Sequence, residues 1–553
     1  MDALKSKFFL KSKFPWFIIV GGILFTLSLQ TYNQGGVFFS GDGGLKALLA
    51  QQFAEGDWHF DLRLPAPDWV LELWQQGLYP FTPPYVYQQF HHYFITFPFP
   101  FPALTALFYS VLGYRGLYVV PLLALWLIWI RFFQVGQYLQ WRADVLAMML
   151  SILIFASPLT LYGAMYWEHT LSVCLAFWGI TIILWPKGNS ITHIQALLSG
   201  GLIGLAVWFR SEFICLAAIV GGLALWQCIS LKIRLFRLPT LDNKSHLFMS
   251  GLAFSMLTFF GLNQIIYGHF LGIHALQVVE ESSVSQQLSQ AVANYRQLLI
   301  ALIQYFPFTL WALVIAVMVR FSRRRNLRQP TMAPTMTTWL TILLFALAVP
   351  LIIPPGAGGK QWGARFYLIL IPLMALIGGI YLNQMLSQRR RWQHYLVLSG
   401  LTLVFLAGAY LNVYNGAVVS YRDRDTNSTS LRHNYQPIAT AIAAISEHSS
   451  PYIAMSHQFV AQQLWAAMPD KTFFLTESTS DVRQLAEGLY QQGKAQFLYI
   501  CYPHRPCLTP EESSENLVVI SKNTPLQLNF SSIGTVGKYP LYDVMITDQL
   551  GSG

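Results

Sequence analysis

The sequence predicts a polytopic α-helical membrane protein of about 11 transmembrane helices, followed by a C-terminal soluble α/β domain. Three observations predict it. Hydrophobic residues fill 54% of the 553 positions and charged residues only 11%, a balance that matches polytopic membrane proteins and no soluble class. Apolar runs of roughly 20 residues, the length that crosses a bilayer, recur from residue 15 to residue 415. From residue 416 onward Asp, Ser, Gln and Asn return and the composition is that of a soluble domain.

Taken in order, the apolar runs place spans at 15–32, 117–139, 143–161, 170–185, 195–209, 213–230, 246–267, 298–319, 336–354, 366–386 and 395–415. The first follows a basic start and has no small-residue cleavage site, the pattern of a retained signal anchor. Lys and Arg orient the set, because cytoplasmic loops retain positive charge. With the N-terminus cytoplasmic, one side collects Lys5, Lys7, Lys11, Lys13, Arg142, Lys187 and the clusters at 232–244, 320–328 and 389–391, which is 18 basic residues against three acidic. The opposite side, up to residue 415, holds seven basic residues against ten acidic. The net charge of +10 is thus mostly a topogenic signal facing anionic lipid. No stacked aromatic and basic pattern points to nucleic acid as a partner.

The domains follow: 1–415 as the membrane domain, with 33–115 as a long first outer loop, and 416–553 as an extracytoplasmic domain. In the tail, apolar strand-like runs at 452–456, 472–476 and 496–502 alternate with helical patterns at 435–447, 458–468 and 479–492, the spacing of βαβ units. A Gly-rich phosphate loop is missing, so the tail reads as a structural or recognition module. Cys174, Cys215 and Cys228 lie in apolar spans as small hydrophobes. Cys501 and Cys507 frame CYPHRPC, and an extracytoplasmic tail lets them close a small disulfide loop. His504 alone does not complete a zinc ligand set.

The reactive candidates fall on the acidic side. In FFSGDGGLKALL, Asp42 is flanked by Gly41, Gly43 and Gly44, and an amphipathic helix is expected from about Leu45. Asp42 reads either as a helix cap or as a general base at the membrane surface. His91 and His92 sit in the aromatic stretch PYVYQQFHHYFITFPFPFP. Rings with polar tips favour the lipid–water interface, so 94–112 is expected to lie along the membrane surface or to line a groove for a lipid tail or acceptor. MYWEHTL carries Glu168 and His169, and WFRSEF carries Arg210 and Glu212, at the tops of short hairpins. Ionisable residues at that depth are costly unless paired or solvated, and Arg210 has Glu168 and Glu212 as ready partners. In PPGAGGKQWGARFYL, Lys360 and Arg365 sit among glycines that let backbone amides approach an anion, which suits phosphate; an anchor for outer-leaflet headgroups is the other reading.

The order of these features resembles the GT-C superfamily of integral membrane glycosyltransferases, which includes the protein O-mannosyltransferases and the aminoarabinose transferase of lipid A. The shared features are an acidic residue just after the first helix, charged short hairpins, a late loop with Arg and a soluble outer domain. The resemblance spans about the whole membrane body. It implies transfer of a sugar from a polyprenyl-phosphate donor to a glycan, lipid or protein acceptor, by inverting displacement. Asp42 stands at the catalytic carboxylate, Lys360, Arg365 and Arg210 at the donor phosphate, and Glu168, His169, Glu212, His91 and His92 in support. The Asp-Glu pair typical of protein mannosyltransferases is replaced by Asp42-Gly43, and neither a WWDYG motif nor a first-loop DxD is present. No cofactor is implied, although Asp42 with Asp57 or Glu168 leaves a divalent metal open. The rivals are a transporter or flippase, which predicts mid-membrane polar residues and related halves, and a lipid-linked polymer ligase built on the 268–297 loop with His269, His274, Glu280 and Glu281.

Overall fold

The computed structural model describes residues 2–33, 35–186, 191–229, 244–273, 284–322, 332–353, 362–387, 391–422, 435–505, 507, 517–520 and 525–548. Lys360, His274, Glu280 and Glu281 lie outside the described residues. The chain divides into two compact units, Met1–Tyr32 with Tyr118–Asp423, and Asn33–Leu117 with Arg424–Gly553.

The first unit is helical. Among the described residues the apolar runs expected to span are largely helical, among them Asp2–Gln30, Val119–Tyr138, His169–Leu184, His193–Val207, Phe213–Ile229, Ser245–Tyr267 and Leu370–Leu386, while the run 143–161 is broken into Ala143–Phe155 and Leu159–Ala164. Among the described residues four helical stretches are long and apolar enough to cross a membrane, and a fifth if a bent pair is one span; the others are shorter. The expected span 298–319 is that pair. Ser289–Tyr305 and Phe308–Met318 meet at 88°, because Pro307 lacks the amide hydrogen that would continue the ladder. Small residues set the tightest packing. A Cβ on Gly200 would stand 2.0 Å from the Phe248 carbonyl oxygen, and one on Gly251 2.1 Å from that of Leu197. The helices His193–Val207 and Ser245–Tyr267 therefore meet backbone to backbone, as membrane helices do through small side chains.

The second unit joins the first outer loop to the tail. Among the described residues its main sheet has six strands, β3 (Tyr452–Met455), β4 (Thr472–Leu475), β5 (Gln496–Ile500), β6 (Leu517–Ile520), β7 (Pro525–Val536) and β8 (Tyr539–Asp548), in the order β4-β3-β5-β8-β7-β6. β3 pairs parallel with β4 and with β5, and the rest of the ladder is antiparallel. The helices Tyr435–Glu447, Gln458–Gln463 and Thr479–Gln491 stand where the sequence placed them, the last opened by a capping box from Ser478 and Asp481. The segment 33–117 is welded to this sheet: Trp74 donates its indole N–H to the Phe473 carbonyl at 3.1 Å, and Trp465 donates to Gly36 at 2.7 Å. Within it β1 (Val86–Gln89) and β2 (His92–Ile95) form a hairpin, and Pro100–Leu112 is a helix.

Candidate functional site: a buried ion triad and a glycine-flanked carboxylate

In the first unit, Glu168 and Glu212 each immediately precede a helix, His169–Leu184 and Phe213–Ile229, where unsatisfied amides favour negative charge. Arg210 lies between them. Its Nε donates to both carboxylate oxygens of Glu212, at 3.0 and 3.2 Å, and Nη1 donates to Glu168 Oε1 at 3.1 Å. All three are buried, at 9%, 1% and 2% exposure for Arg210, Glu168 and Glu212. Burial this deep is tolerated because the charges are bonded to one another. The pairing that sequence offered as Arg210's structural role is thus made twice over. The Nη2 donors, out of five N–H groups on a guanidinium, carry no bond among the described residues.

Arg365 opens a short 3₁₀ turn, Arg365–Tyr367. Its guanidinium stands 4.8 Å from the centre of the Phe366 ring, and that of Arg210 stands 5.3 Å from the same ring. One aromatic ring thus has two cations near it, from loops far apart in sequence, each attracted to its π system. The turn is held in place: Trp362 donates to Asn412 Oδ1 at 3.2 Å, Asn412 donates to the Tyr305 carbonyl at 2.8 Å, and Tyr367 donates to Ala346 at 2.6 Å. His169 joins Tyr162 and Trp167 in a ring cluster with centroids 5.2 to 5.4 Å apart. The Tyr162 hydroxyl is buried there without a hydrogen-bond partner among the described residues. An orphaned buried hydroxyl costs about 1–3 kcal/mol. Its position in an apolar run left no signal in the sequence.

In the second unit, the helix Asp42–Ala54 begins at Asp42 and not near Leu45, with Gly41 as its cap. Asp42 is half-buried, and among the described residues nothing donates a hydrogen bond to its carboxylate. It is the first helical residue, so its charge favours the helix start without serving as a side-chain cap. The flanking glycines are there for close approach. A Cβ on Gly43 would stand 2.5 Å from the Phe38 ring, and one on Gly44 2.0 Å from the Gln462 carbonyl. Two further residues belong to this neighbourhood. Lys46, one turn along the helix from Asp42, is 1% exposed and lies 4.8 Å from the Phe97 ring centre. Gln462 is 1% exposed, and both its amide atoms are unpartnered among the described residues. The spacing Asp42–Lys46 was the legible signal for the first; nothing local announced the second.

The two histidines serve the β1–β2 hairpin. Phe90 and His91 have φ of 51° and 63°, as a two-residue hairpin turn requires, and both are exposed. His92 Nδ1 lies 2.8 Å from Asp61 Oδ2, an oxygen it shares with Arg63. Among the described residues no group of three or more His, Cys, Asp or Glu side chains could hold a metal ion. Cys501 and Cys507 form a disulfide.

This fold, a helical unit with charges gathered at helix ends together with an α/β unit, has counterparts among solved structures. It resembles ArnT from Cupriavidus metallidurans, solved bound to undecaprenyl phosphate, with a TM-score of 0.59 at 12% identity over 95% of this chain and 97% of that one. The apo state of the same protein matches at 0.56 and 11%, over 98% of both chains. The oligosaccharyltransferase of Archaeoglobus fulgidus gives 0.46 at 10% identity, over 88% of this chain and 70% of that one. Neither a family model nor a curated protein matches the sequence.

Proposed function

We propose that the chain is a membrane glycosyltransferase that moves a sugar from a polyprenyl-phosphate donor to an acceptor on the extracytoplasmic side. The observation that carries this reading is the pair of cations on Phe366. Arg365 and Arg210 stand over one ring, at 4.8 and 5.3 Å, with Arg210 fixed by two carboxylates. Such a pair is preorganised for an anion and needs no reorganisation as charge develops. The fold supports the anion being a lipid phosphate, since ArnT from Cupriavidus metallidurans was solved with undecaprenyl phosphate bound.

In the reaction, the Asp42 carboxylate takes the proton of an acceptor hydroxyl as its oxygen attacks the anomeric carbon. The bond from that carbon to the phosphate oxygen breaks, the electron pair leaves with the lipid phosphate, and configuration at the carbon inverts. Arg365, Lys360 and the free face of Arg210 hold the leaving phosphate; Glu168 and Glu212 position Arg210, and His169 supports the orientation of the acceptor or the basic groups. His91 and His92 are supporting residues carried by the β1–β2 hairpin. The basic loops set the N-terminus in the cytoplasm and the chemistry outside it.

The test is sugar release from radiolabelled polyprenyl-phosphate sugars by purified protein in lipid. Wild type turns over donor; Asp42→Asn lowers turnover about 10²–10⁴-fold, the usual contribution of a general base, and Arg365→Ala lowers it by a similar factor. A broad donor panel that is neither bound nor turned over removes this reading and makes transport the hypothesis to pursue.

A further inference from the structure

The loops that follow β3, β4 and β5 all leave the same edge of the parallel part of the sheet. Because β4 and β5 flank β3 on opposite sides, their connections diverge there and leave a crevice, the usual ligand position in parallel α/β sheets. A cavity of about 560 Å³ occupies this edge, within the range of roughly 300–1,000 Å³ typical of ligand pockets. His457 and Gln458 reach it from the β3 loop, Glu477 from the β4 loop, and Arg505 from the disulfide-closed β5 loop; Tyr85 and Phe459 complete the wall.

The wall is built, and its charges are unspent. Gln458 clamps the segment before Tyr85, donating to Thr82 Oγ1 at 2.9 Å and accepting from the Thr82 amide at 3.1 Å. His457 Nδ1 accepts from the Phe459 amide at 3.1 Å, so in the neutral ring Nε2 carries the proton. The His457 ring stacks on Tyr502 at 5.3 Å and meets Phe459 at 4.5 Å, and Tyr85 stands edge-on to Phe459 at 5.4 Å. Among the described residues neither the Arg505 guanidinium nor the Glu477 carboxylate has a hydrogen-bond or ion-pair partner. A pocket offering one cation, one anion and a neutral imidazole repels a simple anion at Glu477 and a simple cation at Arg505. It suits a neutral ligand bearing hydroxyls, which both donate and accept, and an apolar C–H face to lie on aromatic rings.

The pocket also has a connection to Asp42. The helix Gln458–Gln463 carries Gln458 at the pocket, and one turn later, about 6 Å along the axis, Gln462 abuts Gly41, whose Cβ would lie 2.6 Å from Gln462 Oε1. We propose that this cavity binds a saccharide unit of the acceptor, which makes the acceptor a glycan. The assignment to an acceptor rests on the glycosyltransferase reading; saccharide binding as such does not.

The experiment is saturation-transfer NMR on the full chain in lipid nanodiscs, with methyl hexosides, methyl N-acetylhexosaminides and their β-linked disaccharides as probes and inorganic phosphate as a control. The expected result is saturation transfer to a saccharide, with affinity reduced at least tenfold in Arg505→Ala and in the isosteric Glu477→Gln, and unchanged in Lys494→Ala, an exposed position outside the cavity lining. Unfolding midpoints confirm that each variant is folded. Absence of saccharide binding to wild type, competition by phosphate alone, or full affinity in both pocket variants overturns the proposal. Donor hydrolysis by water needs no acceptor and reads the other hypothesis separately. Absent donor turnover with saccharide binding intact sinks the transferase; the converse sinks the pocket.

Discussion

Two arginines in this chain have opposite circumstances. Arg210 is buried and bonded through Nε and Nη1 to two carboxylates that are 1% and 2% exposed. Arg505 lies exposed on a cavity wall it shares with Glu477, and among the described residues neither side chain is hydrogen-bonded or within ion-pair distance of a partner. The first is a component of a network, in which removing one member strands the others. The second costs the fold nothing to keep and is available to a ligand. Charge alone does not mark a binding residue; the bonds a charge has already made decide how much it has left to offer.

The sharpest way to break this contrast is to remove each guanidinium in turn. Arg210→Met removes the guanidinium that buried Glu168 and Glu212 share, and a broken buried ion pair typically costs about 3–5 kcal/mol. Arg505→Ala removes no native bond and stays within about 0.5 kcal/mol of wild type, as most surface substitutions do. Denaturant unfolding in mixed micelles measures both. Equal losses in the two variants would mean that the Arg210 contacts carry little net energy and that the distinction is empty. A smaller effect is expected at Gly44, where the added methyl of Gly44→Ala would stand 2.0 Å from the Gln462 carbonyl. Overpacking of this kind costs about 1–3 kcal/mol. Because it displaces the start of the Asp42 helix, donor turnover drops with it; unchanged turnover and stability would show that this approach is not tight.

What could be read in advance follows the same division between local and distant interactions. The parallel strands and their helices were legible because each is an apolar run bounded by polar turns. β6 to β8 escaped notice: β7 alternates Gln527, Asn529 and Ser531 with apolar residues, a one-faced strand that looks polar in isolation. Segment 33–117 read as a loop because it is rich in Pro and aromatics, and its partners, such as Phe473 for Trp74, lie hundreds of residues away. The bend at Pro307 had its signal in the sequence; hydropathy alone ran through it. At the candidate site, residue types and helix-end positions identified Glu168, Arg210 and Glu212. That Phe366 is common to Arg210 and Arg365, and that Gln462 and Tyr162 are buried with unpartnered polar atoms, are facts of packing with no local trace.

The finest test of the pocket concerns protonation. Burial and, secondarily, the charge of Arg505 hold the His457 imidazole below its ordinary value of 6.5. A base whose folded pKa is depressed binds its proton first in the unfolded chain, so its contribution to stability falls as pH drops below 6.5 and levels off beneath the folded value. Protonation also destroys the Nδ1 acceptor that receives the Phe459 amide. Glu477 responds in the opposite sense: burial chiefly, with Asp481, raises its carboxyl above 4.5, so it neutralises early on acidification and leaves Arg505 unbalanced. Both changes turn a neutral wall into a cationic one. Saccharide affinity should therefore be flat from pH 8 to about 6.5 and weaken below that, while affinity for phosphate rises. Phosphate binding that stays level as saccharide binding falls would mean that the pocket's neutrality is not what selects its ligand.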